Sequence, residues 1–258
     1  MKTVVIIPSR YGSTRFPGKP LAHIAGKPMI KWVCEKAEQA KNVTDVYVAT
    51  DDRRIYDTVL GFGGNAVMTS EENRSGTDRV GEAAEKIDLG QDDIVINVQG
   101  DQPFFNPHCL DQLVEPILRD SDLPMSTLAF KIVDTKEITD PKDCKVIFDQ
   151  QGYALYFSRS PIPFGRDPQI RFDTYKHLGF YAYTRRFLDI FRTLPEGNLE
   201  KIEKLEQLRA IEYGHRIKVV ITEYDSPEVD LPEDIARMEK IIRTPEGSLQ
   251  VFRLKTEG

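Results

Sequence analysis

Near the start of the chain, Arg10, Ser13, Thr14, Arg15 and Lys19 crowd into one run, R-Y-G-S-T-R-F-P-G-K-P. Three cations, two hydroxyls and the glycines Gly12 and Gly18 are the mixture a polyphosphate requires. Glycine lets backbone N–H groups approach closely, and Arg and Lys neutralise charge. The run is not a Walker A loop. Five residues separate Gly12 from Gly18 where that motif has four, and Pro20 stands where it needs a magnesium-binding hydroxyl. No G-x-G-x-x-G occurs, which disfavours a dinucleotide cofactor. The alternative for this run is a solvated basic loop.

A second group is acidic. Asp101 ends N-V-Q-G-D, directly after an apolar run, so its carboxylate must be solvated, paired or metal-bound. Magnesium takes one or two carboxylates together with phosphate oxygens and water. Asp230, in V-D-L-P-E-D, is the candidate second acid, with capping of the following helix as its alternative role. His177, Gly179, Tyr181 and Tyr183 alternate along one predicted strand, and period two places them on one face, suited to a polar ligand or to a half-buried sheet surface. Glu206 and Gln207 fall in a predicted helix, where a solvated face is the ordinary reading.

The elements that would position these groups follow from the apolar pattern. Thr3 to Pro8 is a continuous β-branched run, suited to a strand buried on both faces, and the basic loop follows it at once. Pro28 opens a helix with Met29, Ile30, Val33, Ala37 and Ala40 inward. Val46 to Thr50 is a strand that ends at Asp51 and Asp52. Arg54 to Phe62 is a helix stopped by Gly63-Gly64, and Ala66 to Thr69 a short strand. Ser75-Gly76-Thr77-Asp78 resembles a capping box ahead of a helix, and Ile94 to Val98 is a buried strand running into Gln99-Gly100-Asp101. This alternation predicts an α/β fold with a Rossmann-like, mainly parallel sheet, whose ligands bind beyond the carboxyl ends of the strands. Thereafter the pattern changes to α+β. Strands are expected at Thr127 to Val133, Lys145 to Asp149, Tyr153 to Ser158, His177 to Tyr183 and Ile217 to Thr222. Helices are expected at Glu200 to Tyr213, with Ile202, Leu205, Leu208 and Ile211 inward, and at Pro232 to Ile242.

Bulk properties bound the function. The 258 residues are 40% hydrophobic and 29% charged, with 35 basic against 41 acidic residues, a net charge of −6. Such a chain is a poor nonspecific nucleic-acid binder, and no signal peptide or membrane span is visible. Cys34, Cys109 and Cys144 show neither a disulfide framework nor zinc-ligand spacing, which points to a reduced, cytoplasmic setting.

The blocks R-Y-G-S-T-R-F-P-G-K-P, S-G-T-D-R, N-V-Q-G-D-Q-P, Y-A-L-Y-F-S-R-S-P-I-P, K-H-L-G-F-Y-A-Y, K-L-E-Q-L-R and V-D-L-P-E-D resemble, in this order, those of the 3-deoxy-manno-octulosonate (Kdo) cytidylyltransferases. The resemblance runs from about residue 3 to 240. It implies a nucleotide-diphospho-sugar transferase type of sheet with a smaller α+β lobe for sugar binding and dimerisation. One nucleotidyltransferase domain would span 1–243, with a nucleotide-binding part over about 1–125 and a sugar-binding and dimerisation part over about 126–230. A polar C-terminal tail would follow at 244–258.

The resemblance further implies that Arg10, Ser13 and Lys19 hold the CTP phosphates. Arg74, Ser75 and Gly76 would lie by the cytosine and ribose, with Gln99 beside both substrates. Asp101 and Asp230 would bind Mg2+. Arg159, His177, Tyr181, Tyr183, Glu206 and Gln207 would surround a 2-keto-3-deoxy octulosonic acid, with Arg159 near its carboxylate. Arg10, Lys19 and Asp101 would carry the catalysis, in a cytoplasmic homodimer that supplies lipopolysaccharide synthesis. One departure stands out. The family commonly reads G-D-E-P where this chain has Gln102, and the G-D-Q-P and S-P-I-P-F-G-R-D variants resemble a subgroup that acts on the 8-amino octulosonate. Remoter alternatives are another sugar nucleotidyltransferase or a non-catalytic CTP-binding regulator.

Overall fold

The computed structural model describes residues 1–12 and 15–243. The elements in chain order are β1 (Thr3–Ser9), β2 (His23–Ile24), β3 (Lys27–Pro28), α1 (Met29–Ala37), β4 (Asp45–Thr50), α2 (Arg53–Gly61), β5 (Asn65–Met68), α3 (Gly76–Lys86), β6 (Ile94–Asn97) and α4 (His108–Arg119). There follow β7 (Met125–Lys131), α5 (Lys136–Thr139), β8 (Lys145–Phe148), β9 (Ala154–Ser158), β10 (Tyr175–Thr184), α6 (Arg185–Thr193), α7 (Asn198–Glu203), α8 (Leu208–Glu212), β11 (Lys218–Thr222) and α9 (Pro232–Arg243).

The main sheet has the order β11-β7-β10-β6-β1-β4-β5. β1 pairs in parallel with both β4 and β6, β4 with β5, and β7 with β11. On this path β10 runs against its neighbours β6 and β7, and β8 joins β10 and β9 antiparallel off it. The β-branched run of β1 behaves as a doubly covered strand should. Val5 and Ile7 enter one core with residues of α1, α2 and α4, while Val4 and Ile6 enter another with residues of α3 and α6. The strands of the second half extend this sheet, and the β8–β9 hairpin projects beside it.

Strand direction puts the chemistry in one place. β1, β6, β7 and β11 all point their carboxyl ends the same way, so the loops after Ser9, Asn97 and Thr222 emerge at one edge. β10 reaches that edge with its first half, because Tyr181 lies opposite Asn97, the last residue of β6. A third apolar cluster of Ile24, Met29, Val229 and Met238 ties α9 and β2 together behind the edge.

Local expectations mostly hold, with instructive differences. Ser75 caps α3 by accepting from the Asp78 N–H at 3.1 Å. The three cysteines are buried and free. The helix expected over Glu200 to Tyr213 is broken into α7 and α8 at Lys204, whose backbone is left-handed, and Ile202, expected inward, is 77% exposed. α4 carries Pro116 in its interior, which hides its helical pattern in the sequence. No helix among the described residues is long and apolar enough to cross a membrane. The expected tail at 244–258 lies outside the described residues.

Candidate active site

The basic loop is folded tightly onto itself. Gly18 has φ 72° and its N–H donates to the Tyr11 carbonyl at 2.9 Å, and a Cβ there would stand 3.1 Å from the Tyr11 ring in a backbone region that disfavours side chains. This turn opens the short 3₁₀ segment Lys19–Leu21 and aims Lys19 back across the sheet edge. The Arg54 guanidinium stacks 3.3 Å over the Tyr11 ring and pins the loop from outside. Ser13 lies outside the described residues.

Lys19 Nζ donates to Asp101 Oδ2 at 2.7 Å and to the Val229 carbonyl at 3.0 Å, and stands 3.8 Å from Asp230 Oδ1. Arg15 Nη2 reaches the same Asp230 oxygen at 3.1 Å. Two carboxylates from distant parts of the chain therefore converge on one cation. Asp230 is not the cap of α9. Asp234 Oδ2 accepts the Asp230 and Leu231 N–H groups at 2.9 Å each, leaving the Asp230 carboxylate to the cations. This pair of hard oxygen donors, already holding an ammonium, suits a magnesium ion that also takes phosphate oxygens and water. Among the described residues no cluster of three His, Cys, Asp or Glu side chains could hold an ion.

Two cavities meet at this point. The first, of about 330 Å³, is lined by Arg10, Arg15, Lys19, Arg74, Ser75, Gly76, Gln99 and Asp101. It brings together every described residue assigned to the nucleotide. On its wall, Arg79 is fixed by Asp51 Oδ2 and Thr69 Oγ1 at 2.5 Å each, while Asp52 caps α2. The paired acids after β4 are therefore scaffold. Arg74 Nε donates to Asp78 at 3.2 Å across the first turn of α3.

The second cavity, of about 430 Å³, is lined by Gln99, Asp101, Arg159, His177, Tyr181, Glu206, Gln207 and Asp230. Gly76, Gln99, Asp101 and Arg15 border both cavities, so a ligand in one would abut a ligand in the other. A bulge in β10 between His177 and Tyr181, with Gly179 at φ 74°, shapes the floor. Tyr183 is the exception to the expected set. It is 1% exposed, does not line the cavity, and stacks with Phe187 at 6.5 Å beneath the floor. Tyr183 stays on the face of Tyr181, whose ring stacks on it at 6.0 Å, but it lies opposite Val95, two residues inward of the Tyr181–Asn97 pair, where the core covers it.

Hydrogen bonding fixes the chemistry of the floor. Thr127 Oγ1 donates its one proton to the Phe180 carbonyl at 2.6 Å, so His177 Nε2, 2.8 Å away, must be the donor to that oxygen. Burial pushes the His177 pKa down to about 3, so the ring is neutral and Nδ1 is an acceptor. Tyr181 donates to Gln207 Oε1 at 3.0 Å, and Thr77 donates to Glu206 Oε2 at 2.5 Å, leaving Glu206 Oε1 without a hydrogen bond among the described residues. Arg159 gives Nε to the Glu203 carbonyl and Nη1 to the Pro141 carbonyl, each at 2.8 Å. Its planar fork is oriented by carbonyls while its charge has no carboxylate within ion-pair distance among the described residues.

Arg15, Glu228, Lys142 and Lys204 also line the second cavity and had not been assigned to it. Arg15 was legible as one of three cations in the loop, and the others carry no local signal. Glu228 bears on Gln102. The amide Nε2 of Gln102 donates to the Leu178 carbonyl at 2.8 Å and to Glu228 Oε1 at 3.1 Å, so a carboxylate stands beside this amide. Burial first, then the charges of Asp101 and Asp230, raise the Glu228 carboxyl to about 7 from its ordinary 4.5. An acid raised on folding destabilises the fold as it ionises, so the penalty is absent below about pH 4.5 and complete above about pH 7. Glu228→Gln should therefore raise the melting temperature of the metal-free protein at pH 8 and change it little at pH 4.5. Equal shifts at both pH values in thermal melts would show that the carboxyl carries no such penalty.

Comparison with known proteins agrees with this geometry. A family model described as Cytidylyltransferase matches residues 4–217. A 3-deoxy-manno-octulosonate cytidylyltransferase from Desulfosudis oleivorans is 64% identical over 242 residues, covering 94% of this chain and 98% of the relative. An 8-amino-3,8-dideoxy-manno-octulosonate cytidylyltransferase from Shewanella amazonensis is 56% identical, with 94% and 99% covered. A solved structure of CMP:2-keto-3-deoxy-manno-octonic acid synthetase complexed with CTP aligns with a TM-score of 0.89 at 42% identity, covering 94% of this chain and 98% of that one.

Proposed function

The chain belongs to the cytidylyltransferase family, and on that footing we propose that it joins CTP to 3-deoxy-manno-octulosonate, forming the CMP sugar and pyrophosphate for lipopolysaccharide synthesis. The observation that carries this reading is the meeting of two cavities at Gln99 and Asp101, one walled by Arg10, Lys19 and Arg74, the other by Arg159, His177 and Tyr181.

The anomeric oxygen of the sugar attacks the α-phosphorus of CTP. A new P–O bond forms, the bond to the bridging oxygen of the β-phosphate breaks, pyrophosphate leaves, and the hydroxyl proton passes to water. The protein contributes positioning and charge neutralisation. Arg10 and Lys19 balance charge on the phosphates, with Arg10 exposed at the mouth and Lys19 on the shared border. Ser75 and Gly76, at the start of α3, lie by the nucleoside, and Arg74 flanks them. On the sugar side His177 Nδ1 and Glu206 accept hydroxyls, Tyr181 and Gln207 fix the far wall, and Arg159 faces the carboxylate. Magnesium held by Asp101 and Asp230 would supply further charge neutralisation at the phosphates and acidify the attacking hydroxyl. His177, neutral and bonded to Thr127, is an orienting group here and no general base.

The working unit is a cytoplasmic homodimer. In support, Phe164, Ile170 and Phe172 are 88%, 64% and 47% exposed in one projecting loop, an apolar surface that a second copy would cover.

The test is pyrophosphate release from CTP with the 8-hydroxy and the 8-amino octulosonate, with and without magnesium. Release with the 8-hydroxy sugar, dependent on magnesium, is expected. CTP binding without release with either sugar would mean a non-catalytic nucleotide binder. Clear preference for the 8-amino sugar would move the chain to that subgroup.

A further inference from the structure

The second cavity carries two clusters of opposite sign. Asp101, Glu228 and Asp230 form one. Lys142, Arg159 and Lys204 form the other, tied together because Arg159 donates to the carbonyls of Pro141, Glu203 and Lys204 at 2.8, 2.8 and 3.4 Å. The Lys142 ammonium already has a partner, Asp140 at 3.6 Å. Lys204 has no ion pair among the described residues.

The backbone of Lys204 is unusual. It has φ 54° and ψ 46° at the end of α7, a conformation that crowds Cβ against the carbonyl and is ordinarily given to Gly or Asn. Its N–H donates to the Glu200 carbonyl at 2.8 Å, and the turn is bolted to β9 by Ser158 Oγ and the Arg159 N–H, which bond the two Glu203 carboxylate oxygens at 2.6 and 3.0 Å. The turn buries Leu205 and delivers Glu206 and Gln207 to the cavity wall. Glycine would make the same turn at lower steric cost, yet the position holds a long cation that lines the cavity. Strain kept at a ligand-facing position is characteristic of a site that uses the side chain.

We propose that Lys204 is a sugar-recognition residue, set at the cavity by the left-handed turn, whose ammonium forms with Arg159 a cationic wall that receives the sugar acid. The proposal rests on the octulosonate reading above. Lys204 acts on binding of the sugar and not on the phosphates, which lie in the other cavity.

The test is steady-state kinetics with thermal melts for Lys204→Gly, Lys204→Asn and Lys204→Arg. Gly and Asn both accept the left-handed turn, so folding should survive, and Lys204→Gly should melt at or above the parent temperature. Both should raise KM for the octulosonate by about tenfold, the size of one hydrogen bond to a charged group, with KM for CTP nearly unchanged. Lys204→Arg should stay close to the parent. An unchanged sugar KM in Lys204→Gly and Lys204→Asn would overturn the proposal, and so would lower melting temperatures with both KM values rising together, which would mark a scaffold residue. Failure of the parent enzyme to release pyrophosphate with this sugar would defeat the octulosonate reading itself, and is distinguished by occurring before any substitution.

Discussion

Lys19→Met is expected to lower kcat/KM for CTP by about 10²- to 10³-fold, the loss seen when one preorganised stabiliser of transition-state charge is removed. The methionine keeps the length and much of the packing of the lysine, so the change is electrical. In the structure the ammonium is the centre of the site. It bonds Asp101 at 2.7 Å, is only 15% exposed, and faces the cavity assigned to the triphosphate. Its removal leaves Asp101 and Asp230 facing each other with only the exposed Arg15 to balance them. The metal-free variant should therefore melt below the parent, and added magnesium should recover much of the difference, because a bound cation replaces the one deleted. Turnover within about threefold of the parent, too small a change for a lost charge stabiliser, would remove Lys19 from the chemistry.

Asp101→Asn should be as damaging, with kcat reduced by about 10²-fold or more, since the amide preserves shape but holds a divalent ion poorly. Asp230→Asn should behave alike, because its carboxylate shares the same cation and leaves the capping of α9 to Asp234. Two residues that act on one ion do not act independently. The double variant should therefore lose little more than either single one. Magnesium titration followed by calorimetry gives a readout apart from turnover, with the binding heat of the parent lost in each variant. Near-normal turnover in Asp101→Asn would contradict the metal role. Loss of activity with magnesium binding intact would mean that the aspartate serves only to hold Lys19.

Much of the site could be read from local pattern. The β-branched run of β1, the capping box at Ser75, and the loops that leave β1 and β6 are short-range features, set by side-chain shape and a period of two, and they placed Arg10, Lys19, Gln99 and Asp101 on one edge. Period two put His177, Tyr181 and Tyr183 on one strand face, and the motif blocks added Arg159 and gave Glu206 and Gln207 a sugar-side role by resemblance. Of these, Arg159, His177, Tyr181, Glu206 and Gln207 do line one cavity, and Tyr183 does not. Its misplacement is physical. Period two puts Tyr183 on the face of Tyr181, but that face runs from the open edge into the core, and Tyr183 lies opposite Val95, two residues inward of the Tyr181–Asn97 pair, so depth along the strand keeps it from the cavity. The break at Lys204 was hidden because lysine ordinarily favours continuing a helix.

What the sequence by itself determined was therefore the alternation of elements, the edge at which ligands bind, and the chemical types gathered there. The tertiary structure alone decided which of those groups touch. Lys19 meets Val229 across 210 positions of chain, and Gln102 meets Glu228 across 126. Contacts of that span depend on strand order and on the reversed insertion of β10 between β6 and β7. Hydrophobic periodicity reports only which face of a segment is buried, and says nothing of which segment lies beside it.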